Sequence, residues 1–273
     1  MLDPINVKAT TLSDVWFQLI YKCVEHGKKF VIDRGSFEGQ TRLEFDYVTI
    51  HITHPDTIPL LPKLNPNLSI PDPVSEDYLD DYLPYLMTGE EKEGESYTYG
   101  QRLCAGILTN QHLQWQTVNG QQIYIQDQKI WDDLYHGDVI HINNGRHVLN
   151  QLELMIWTYK NKGYRNNQMC LQIAKPTDML LQDPPCLRYI DTRIQDGMLH
   201  FFPYFRSWDL FSGLPANLAA IELMKQYCAD QIGVENGEII ASSKGLHLYD
   251  YVIELAELIR GKTIEEFKAE QSK

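Results

Sequence analysis

Apolar residues recur at three- and four-residue spacing in several stretches of the chain, and this spacing predicts amphipathic helices. In the first of them Thr11 or Ser13 can cap the start and Gly27 can close the end. Pro84 lies within the second and is expected to distort it. The predicted helices cover residues 12–26, 77–87 and 148–159, a stretch after Asn217, and a last segment that opens at 245–249.

Other stretches alternate or carry short apolar runs, as strands do. Residues 187–194 and 198–205 are joined by Gln195-Asp196-Gly197, which predicts a β-hairpin. Residues 55–76 hold six prolines and are expected to form an extended surface connection. Further strands are predicted at 43–52 and 169–174, with a short one near Ile123 in a glutamine-rich surface loop at 110–127.

Length and composition limit the class of protein. A chain of 273 residues with 43% hydrophobic residues is expected to form one domain, residues 1–273. Its apolar runs are shorter than the roughly 20 residues that cross a bilayer, and the N-terminus does not resemble a signal peptide, so we expect a cytoplasmic protein without membrane contact. The net charge of −13 argues against nucleic acid as a partner.

Five cysteines are spread along the chain without a C-x-x-C pair, so neither a disulfide framework nor a zinc site is predicted. Cys186 differs from the others because it opens the predicted hairpin, while Arg206 closes it. The outer ends of a hairpin are neighbours, and an adjacent cation lowers a cysteine pKa. Cys186 is therefore either an activated nucleophile or a buried strand residue, and the sequence supports both about equally.

Further polar residues have two interpretations each. Arg34 lies beside two glycines, in a loop that either binds a phosphate or forms an ordinary turn. Ser207 next to Arg206 suits a phosphate oxygen. Asn217 either caps the helix that follows it or contacts a ligand, and His247 is either a ligand contact or exposed.

Four motifs in register resemble the thymidylate synthase family, most closely its archaeal-type branch. The similarity covers about residues 146–260, with weaker support from Asp33-Arg34 and Tyr99-Gly100. The motifs are Pro185-Cys186, Arg206-Ser207-x-Asp209, Gly213-Leu214-Pro215-x-Asn217 and His247-Leu248-Tyr249.

The resemblance implies an α/β (α+β) fold with a large twisted mixed sheet and helices packed on one face. It also implies a homodimer packed sheet to sheet. The reaction would be methylation of dUMP at C5 to dTMP, with a methylene-carrying reduced pterin of the tetrahydrofolate or tetrahydromethanopterin type as co-substrate and no metal.

The resemblance also assigns roles to single residues. Cys186 would attack C6 of the pyrimidine, Arg206 would activate the thiol and bind phosphate, and Tyr99 would order water for proton abstraction at C5. Asn217 would contact the O4 and N3 edge of uracil, which fits a carboxamide because it can donate to O4 and accept from N3–H. The remaining roles are phosphate binding by Arg34, Arg165 and Ser207, ribose 3′-hydroxyl binding by His247 and Tyr249, and pterin binding by Asp209 and Gly213.

Three features depart from the family pattern. One is Leu187, where a histidine commonly follows the nucleophile, together with a polar segment at 269–273 in place of an apolar tail, which suggests a changed cofactor site. The family's catalytic glutamate has no clear match, and Asp80 or Asp81 lies nearest to its place. Of the paired arginines that reach the phosphate across the dimer, only Arg165 has a counterpart, because Asn166 and Asn167 follow it. Two alternatives remain: a pyrimidine nucleotide 5-hydroxymethylase, in which water completes the reaction, and a nucleotide-binding relative that has lost catalysis.

Overall fold

The computed structural model describes residues 1–33, 37–91, 93–108, 115–118, 121–124, 134, 139–143, 145–262 and 268. Arg34 and most of the predicted loop at 110–127 lie outside these residues. The described chain has mixed α and β structure, which confirms the predicted fold class. Its helices are α1 (Leu12–His26), α2 (Glu76–Met87), α3 (Tyr99–Cys104), α4 (Gln151–Lys162), α5 (Gly213–Ile232) and α6 (Asp250–Arg260).

Strands make up four sheets in the described residues. The largest is a mixed six-stranded sheet with strand order β1-β4-β14-β12-β11-β10. The strands are β1 (Pro4–Ala9), β2 (Lys28–Val31), β3 (Thr41–Glu44), β4 (Tyr47–Ile52), β5 (Gly106–Ile107), β6 (Trp115–Val118), β7 (Gln121–Tyr124), β8 (Ile140–Asn143), β9 (Arg146–Leu149), β10 (Cys170–Gln172), β11 (Leu187–Gln195), β12 (Met198–Phe205), β13 (Trp208–Asp209), β14 (Glu235–Ser243) and β15 (Leu246–Tyr249).

One face of the large sheet forms the core. Successive residues of a strand point to opposite faces, and along β12 every second residue is buried, including Phe201 and Phe205. Helices α1 and α5 pack against this face. The opposite face carries half-buried side chains such as Tyr189, Phe202 and Tyr204. At this level the predicted arrangement, with helices on one face of a large sheet, agrees with the structure.

A second, four-stranded sheet carries most of the polar residues that the motifs point to. Its order is β13-β15-β3-β2, so Asp209 pairs with His247 and His247 pairs with Glu44. One step further along the ladder, Tyr249 pairs with Arg42. Because paired residues point to the same face, these five side chains share one face of the small sheet.

The hairpin is confirmed in register. Strands β11 and β12 are antiparallel, and Gln195 pairs with Met198 across the turn. Asp196 and Gly197 adopt φ angles of 54° and 80°, the left-handed conformation that two-residue hairpin turns require. The helix at 12–26 is also confirmed, with Cys23 buried on its apolar side.

Several predicted elements differ in the structure. The single strand expected at 43–52 is two strands in different sheets, because the chain leaves β3 at Phe45-Asp46 and enters the large sheet at Tyr47. The helix expected at 148–159 begins only at Gln151, since Arg146–Leu149 pairs with β8 and β5. The segment 246–249, expected to open the last helix, is strand β15.

Helix α2 contains Pro84 and ends three residues later, at Met87. The extended connection before it has no strand, and its only helical part is one 3₁₀ turn at Pro66–Leu68. Among the described residues, no helix is long and apolar enough to cross a membrane. No group of histidine, cysteine and acidic residues suited to a metal ion occurs in the same residues.

Candidate active site

The hairpin brings Cys186 and Arg206 together. Cys186 precedes β11, Arg206 follows β12, and the Arg206 amide donates a hydrogen bond to the Cys186 carbonyl at 2.8 Å. The Arg206 guanidinium turns towards the segment before the cysteine. Its Nε donates to the Pro184 and Pro185 carbonyls, both at 3.2 Å, and its Nη2 donates to Asp183 Oδ1 at 3.1 Å. Arg206 therefore fixes the turn that presents the thiol.

The pKa of Cys186 is set by opposing effects. Burial raises it above its ordinary value, and the Arg206 guanidinium, the strongest of the opposing groups, lowers it. The net direction is upward, so the expected lowering towards neutrality is wrong for the protein without ligand, because burial outweighs the cation. Among the five cysteines, only Cys186 has guanidinium groups that lower its pKa.

Tyr99 lies directly beside the thiol. Its hydroxyl accepts a hydrogen bond from the Leu187 amide at 3.2 Å. Burial first, and then the neighbouring Cys186, raise the pKa of Tyr99, so the phenol keeps its proton. The following residue allows this placement: a Cβ on Gly100 would lie 2.2 Å from the carbonyl oxygens of Tyr85 and Thr88 in and after α2. Only glycine permits so close an approach of α3 to α2.

A charged cavity of about 450 Å³ opens next to the arginine, lined by three cationic side chains and by the carboxylates of Asp33, Glu44 and Asp46. Arg206 and Ser207 line it as expected, and so do Arg42 and Lys244, which the sequence did not single out. Arg42 is ion-paired with Glu44, and its Nε is buried without a partner among the described residues. An unpaired buried donor favours an anionic ligand. Asp33 lines the same cavity, which brings the chain to it one residue before Arg34.

Asn217 does not cap α5. The helix begins at Gly213, four residues earlier, and the Asp209 carboxylate accepts hydrogen bonds from the amides of Phe211, Ser212 and Gly213 at 3.1, 3.2 and 2.9 Å. The capping interpretation is therefore wrong, and Asp209 satisfies these N-terminal donors of the helix instead.

Both polar atoms of the Asn217 amide have protein partners. Oδ1 accepts from the Trp208 indole Nε1 at 3.0 Å, and Nδ2 donates to the Tyr82 hydroxyl at 2.8 Å. Tyr82 lies on α2, next to the two acidic residues that the sequence suggested. Asp80 and Asp81 are both exposed, so neither takes the inward position expected for the family's glutamate in this structure. The side chain of α2 that reaches Asn217 is Tyr82.

His247 is buried, with 2% of its surface exposed, so the exposed alternative is wrong. Its Nδ1 lies 2.9 Å from the Gly245 carbonyl, which can only accept, and this assigns the ring proton to Nδ1. Nε2 is then a buried acceptor, and it has no hydrogen-bond partner among the described residues. The ring meets Tyr249 edge-on, with centroids 4.5 Å apart. A ligand hydroxyl would satisfy Nε2.

Acid should destabilise the protein through His247. Burial lowers the pKa of His247 to about 4, whereas the unfolded value is near 6.5. Between these values the unfolded chain binds the proton more readily, so stability present above about pH 6.5 is lost as the pH falls towards 4, by about 3 kcal/mol. Urea unfolding of His247→Gln should show a shallower loss over this range. His54→Gln, at an exposed position, is the control, and equal slopes for wild type and His247→Gln would contradict the assignment.

A second cavity, of about 440 Å³, is lined by Asn217. Its lining comes from two segments, residues 73–78 and 209–217, and includes Tyr78, Asp209 and Gly213. A planar ligand could stack on Tyr78 and donate to the Asp209 carboxylate. Arg165 is elsewhere: it is exposed in the loop after α4 and lines neither cavity.

The arrangement is that of a protein able to add a thiolate to an electrophile on an anionic ligand, with a second ligand alongside. A family model described as thymidylate synthase matches residues 104–268, more than half of the chain. The chain therefore belongs to the thymidylate synthase family, a family of methyltransferases.

Relatives along almost the whole chain come from methanogenic archaea. A protein named "Putative thymidylate synthase" from Methanosarcina barkeri is 28% identical over 255 residues, with 93% of each chain covered. One of the same name from Methanothermobacter thermautotrophicus is 21% identical over 255 residues, covering 92% of this chain and 96% of the relative. A thymidylate synthase from Corynebacterium aurimucosum is 32% identical over 113 residues, 41% of each chain.

Proposed function

We propose that this protein is a thymidylate synthase of archaeal type that converts dUMP to dTMP. The observation that carries the proposal is the thiol of Cys186 beside Arg206, whose guanidinium lowers the pKa of the thiol and whose side chain lines a charged cavity. The thiolate adds to C6 of the pyrimidine, and the electron pair moves to C5 and O4 as an enolate. C5 would then bond to the one-carbon unit and lose its proton, and the pterin would leave as its bond to that carbon breaks. Hydride transfer from the pterin to the resulting exocyclic methylene would form the methyl group as the Cys186–C6 bond breaks, leaving the pterin oxidised by two electrons.

The co-substrate is a methylene-carrying reduced pterin, which supplies the carbon and a hydride. The second cavity suits a flat heterocycle, because Tyr78 offers an aromatic face and the Asp209 carboxylate offers acceptor oxygens. Asp209 and Gly213 are the residues that we propose to contact it. A tetrahydrofolate or a tetrahydromethanopterin type of carrier fits this description equally.

The nucleotide phosphate would bind in the first cavity. Arg206, Ser207 and Lys244 line it, and so does Arg42, whose buried Nε has no partner among the described residues although its Nη2 is paired with Glu44. We propose that Arg34 also contacts the phosphate. Arg165 is proposed to reach the phosphate of a second subunit, since its exposed position leaves it free to cross an interface.

The sugar and the base would extend from that cavity along the small sheet. His247 Nε2 is a buried acceptor, so it can accept from the ribose 3′-hydroxyl, with Tyr249 packed against the same ring. Asn217 would bind the O4 and N3 edge of uracil. We propose that Tyr99, protonated and beside Cys186, orients a water for removal of the C5 proton.

A homodimer is supported by the face of the large sheet that the helices leave uncovered. Tyr189 and Tyr204 stack there with ring centroids 5.5 Å apart, and Tyr47 lies on the adjoining surface. Aromatic residues on a broad sheet face are typical of subunit interfaces. We propose that this face packs on its copy in a second subunit, a contact that brings Arg165 into the neighbouring site.

The test is covalent trapping with 5-fluoro-dUMP, which cannot lose its C5 substituent as a proton. Intact mass after incubation with methylene-tetrahydrofolate, or with methylene-tetrahydromethanopterin, should show one nucleotide and one pterin added at Cys186. The carrier that gives the adduct is the co-substrate. With unlabelled dUMP the product should have the mass of dTMP.

A product heavier than dTMP by one oxygen would show a hydroxymethylase instead. The absence of both an adduct and tritium release from C5-labelled dUMP, with either carrier, would contradict the proposal. If Cys186→Ala then bound dUMP as tightly as wild type, the protein would be a nucleotide binder without catalysis.

A further inference from the structure

Asn217 is held from both sides by residues that the family motifs do not include. The donor on one side is the indole of Trp208, and the acceptor on the other is the hydroxyl of Tyr82. An indole N–H can only donate, so the atom that faces it must be the amide oxygen. Turning the Asn217 amide over would set its NH₂ group against the indole N–H, two donors without an acceptor between them.

Trp208 is itself fixed in place. It is 2% exposed, stacks on Phe205 with ring centroids 3.9 Å apart and an interplanar angle of 7°, and sits on β13 opposite Leu246. The indole cannot move aside to permit the other amide orientation without losing this packing. The position of Asn217 Oδ1 is therefore determined by the core of the protein.

Tyr82, on α2, makes the second hydrogen bond to the Asn217 amide. Its ring stacks on Tyr78 with centroids 5.8 Å apart, and its hydroxyl accepts one of the two Nδ2 hydrogens. Burial raises the pKa of Tyr82, so the hydroxyl stays neutral and keeps its own proton as a further donor. The amide is left with one N–H and one oxygen lone pair for a ligand.

This remaining pattern distinguishes two pyrimidines. Uracil presents an acceptor at C4 and a donor at N3, which match the free N–H and the free lone pair. Cytosine presents a donor at C4 and an acceptor at N3, which would match only the reversed amide. We propose that Trp208 and Tyr82 are positioning residues that fix the Asn217 amide for a 4-oxo pyrimidine and exclude the 4-amino one; the proposal rests on the proposed function.

The experiment is a comparison of dUMP and dCMP binding by calorimetry. Wild type should prefer dUMP. In Trp208→Phe the ring remains but the donor is lost, the amide can turn, and the preference should fall about tenfold or more. In Tyr82→Phe the preference should fall about threefold or more, because one Nδ2 hydrogen loses its acceptor. Part of the fall in Trp208→Phe should come from stronger dCMP binding, because the reversed amide is no longer excluded.

The matched control is Tyr159→Phe. It removes another buried tyrosine hydroxyl, bonded to Thr192 at 2.9 Å and outside both cavities, so it should change stability and leave the dUMP to dCMP ratio unchanged. Circular dichroism checks the fold of each variant. If Trp208→Phe does not fold, Tyr82→Phe decides.

The outcomes separate this inference from the proposed function. Folded variants that keep the wild-type ratio, while wild type binds dUMP, would overturn the role of Trp208 and Tyr82 and leave the function intact. A wild-type protein that binds neither nucleotide would overturn the proposed function itself. If the ratio of dUMP to dCMP affinity fell equally in Tyr159→Phe, the effect would reflect a general loosening of the fold. That result would also overturn the inference.

Discussion

Replacing Cys186 by alanine is expected to lower dTMP formation on the order of 10³-fold or more, because the reaction as proposed has no other nucleophile for C6. The binding of dUMP should change by only a few-fold, since the phosphate, sugar and base contacts remain. The measurements are tritium release from C5-labelled dUMP for turnover and calorimetry for binding. The adduct with 5-fluoro-dUMP should disappear completely.

The control is Cys170→Ala. Cys170 is also a half-buried thiol, but it lies on β10 at the edge of the large sheet, and no guanidinium lowers its pKa, which burial and Asp191 raise. Its replacement should leave turnover and adduct formation as in wild type. Substantial turnover by Cys186→Ala, a tenth of wild type or more, would show that the thiol is not the nucleophile.

Replacing Arg206 by methionine should give the second largest effect, a loss on the order of 10³-fold in kcat/KM. The Arg206 side chain lines the first cavity, lowers the pKa of Cys186 and holds the turn at 183–185 by hydrogen bonds. Loss of a charge-assisted contact alone should weaken dUMP binding about 10- to 100-fold. The remaining loss comes from the thiol, whose pKa should rise further without the guanidinium.

The rise in the pKa of Cys186 predicts the direction in which the pH profile of its alkylation shifts. The thiolate reacts and the thiol does not, so the rate of Cys186 alkylation increases as the pH rises through the pKa of the group. In Arg206→Met the rising limb should move to higher pH. Alkylation by iodoacetamide, followed at the Cys186 peptide by mass spectrometry, measures this limb without any nucleotide.

Two further variants separate the roles of Arg206. Arg206→Lys keeps the charge but loses the forked contacts to the turn, so its alkylation profile should stay closer to wild type while its turnover falls. Arg146→Met removes an exposed arginine from β9 and should change neither measurement. An unshifted limb in Arg206→Met would show that the guanidinium does not act on the thiol.

The local parts of the fold could be predicted from the sequence, and the long-range parts could not. The hairpin follows from alternation and from a turn that needs two left-handed residues, Asp196 and Gly197. The segment 246–249 is predicted as a helix start but forms a strand, because a short apolar run fits either period. Its state is set by pairing with β3, about two hundred residues earlier in the chain.

The residues of the candidate site also fall into two groups: those that local sequence predicts, and those that only long-range packing brings to the site. Cys186 and Arg206 could be paired from the sequence because one hairpin joins them. Tyr82 and Arg42 could not be found, since neither has a local signal: Tyr82 is one of several tyrosines on α2, and Arg42 alternates with Glu44 like an ordinary surface strand. Only the packing of α2 on α5, and of β3 on β15, brings them to the site.

Strand pairing in the small sheet sets the distances between the residues proposed to bind the ligand. Arg42 and Tyr249 are directly paired, and His247 lies two residues from Tyr249 on the same strand. The separation between Arg42 and His247, the proposed phosphate-side and sugar-side groups, is thus set by the ladder spacing, roughly 5 Å across strands and about 7 Å along one. In the proposed binding mode, a nucleoside without its phosphate would contact only the His247 end of the ladder.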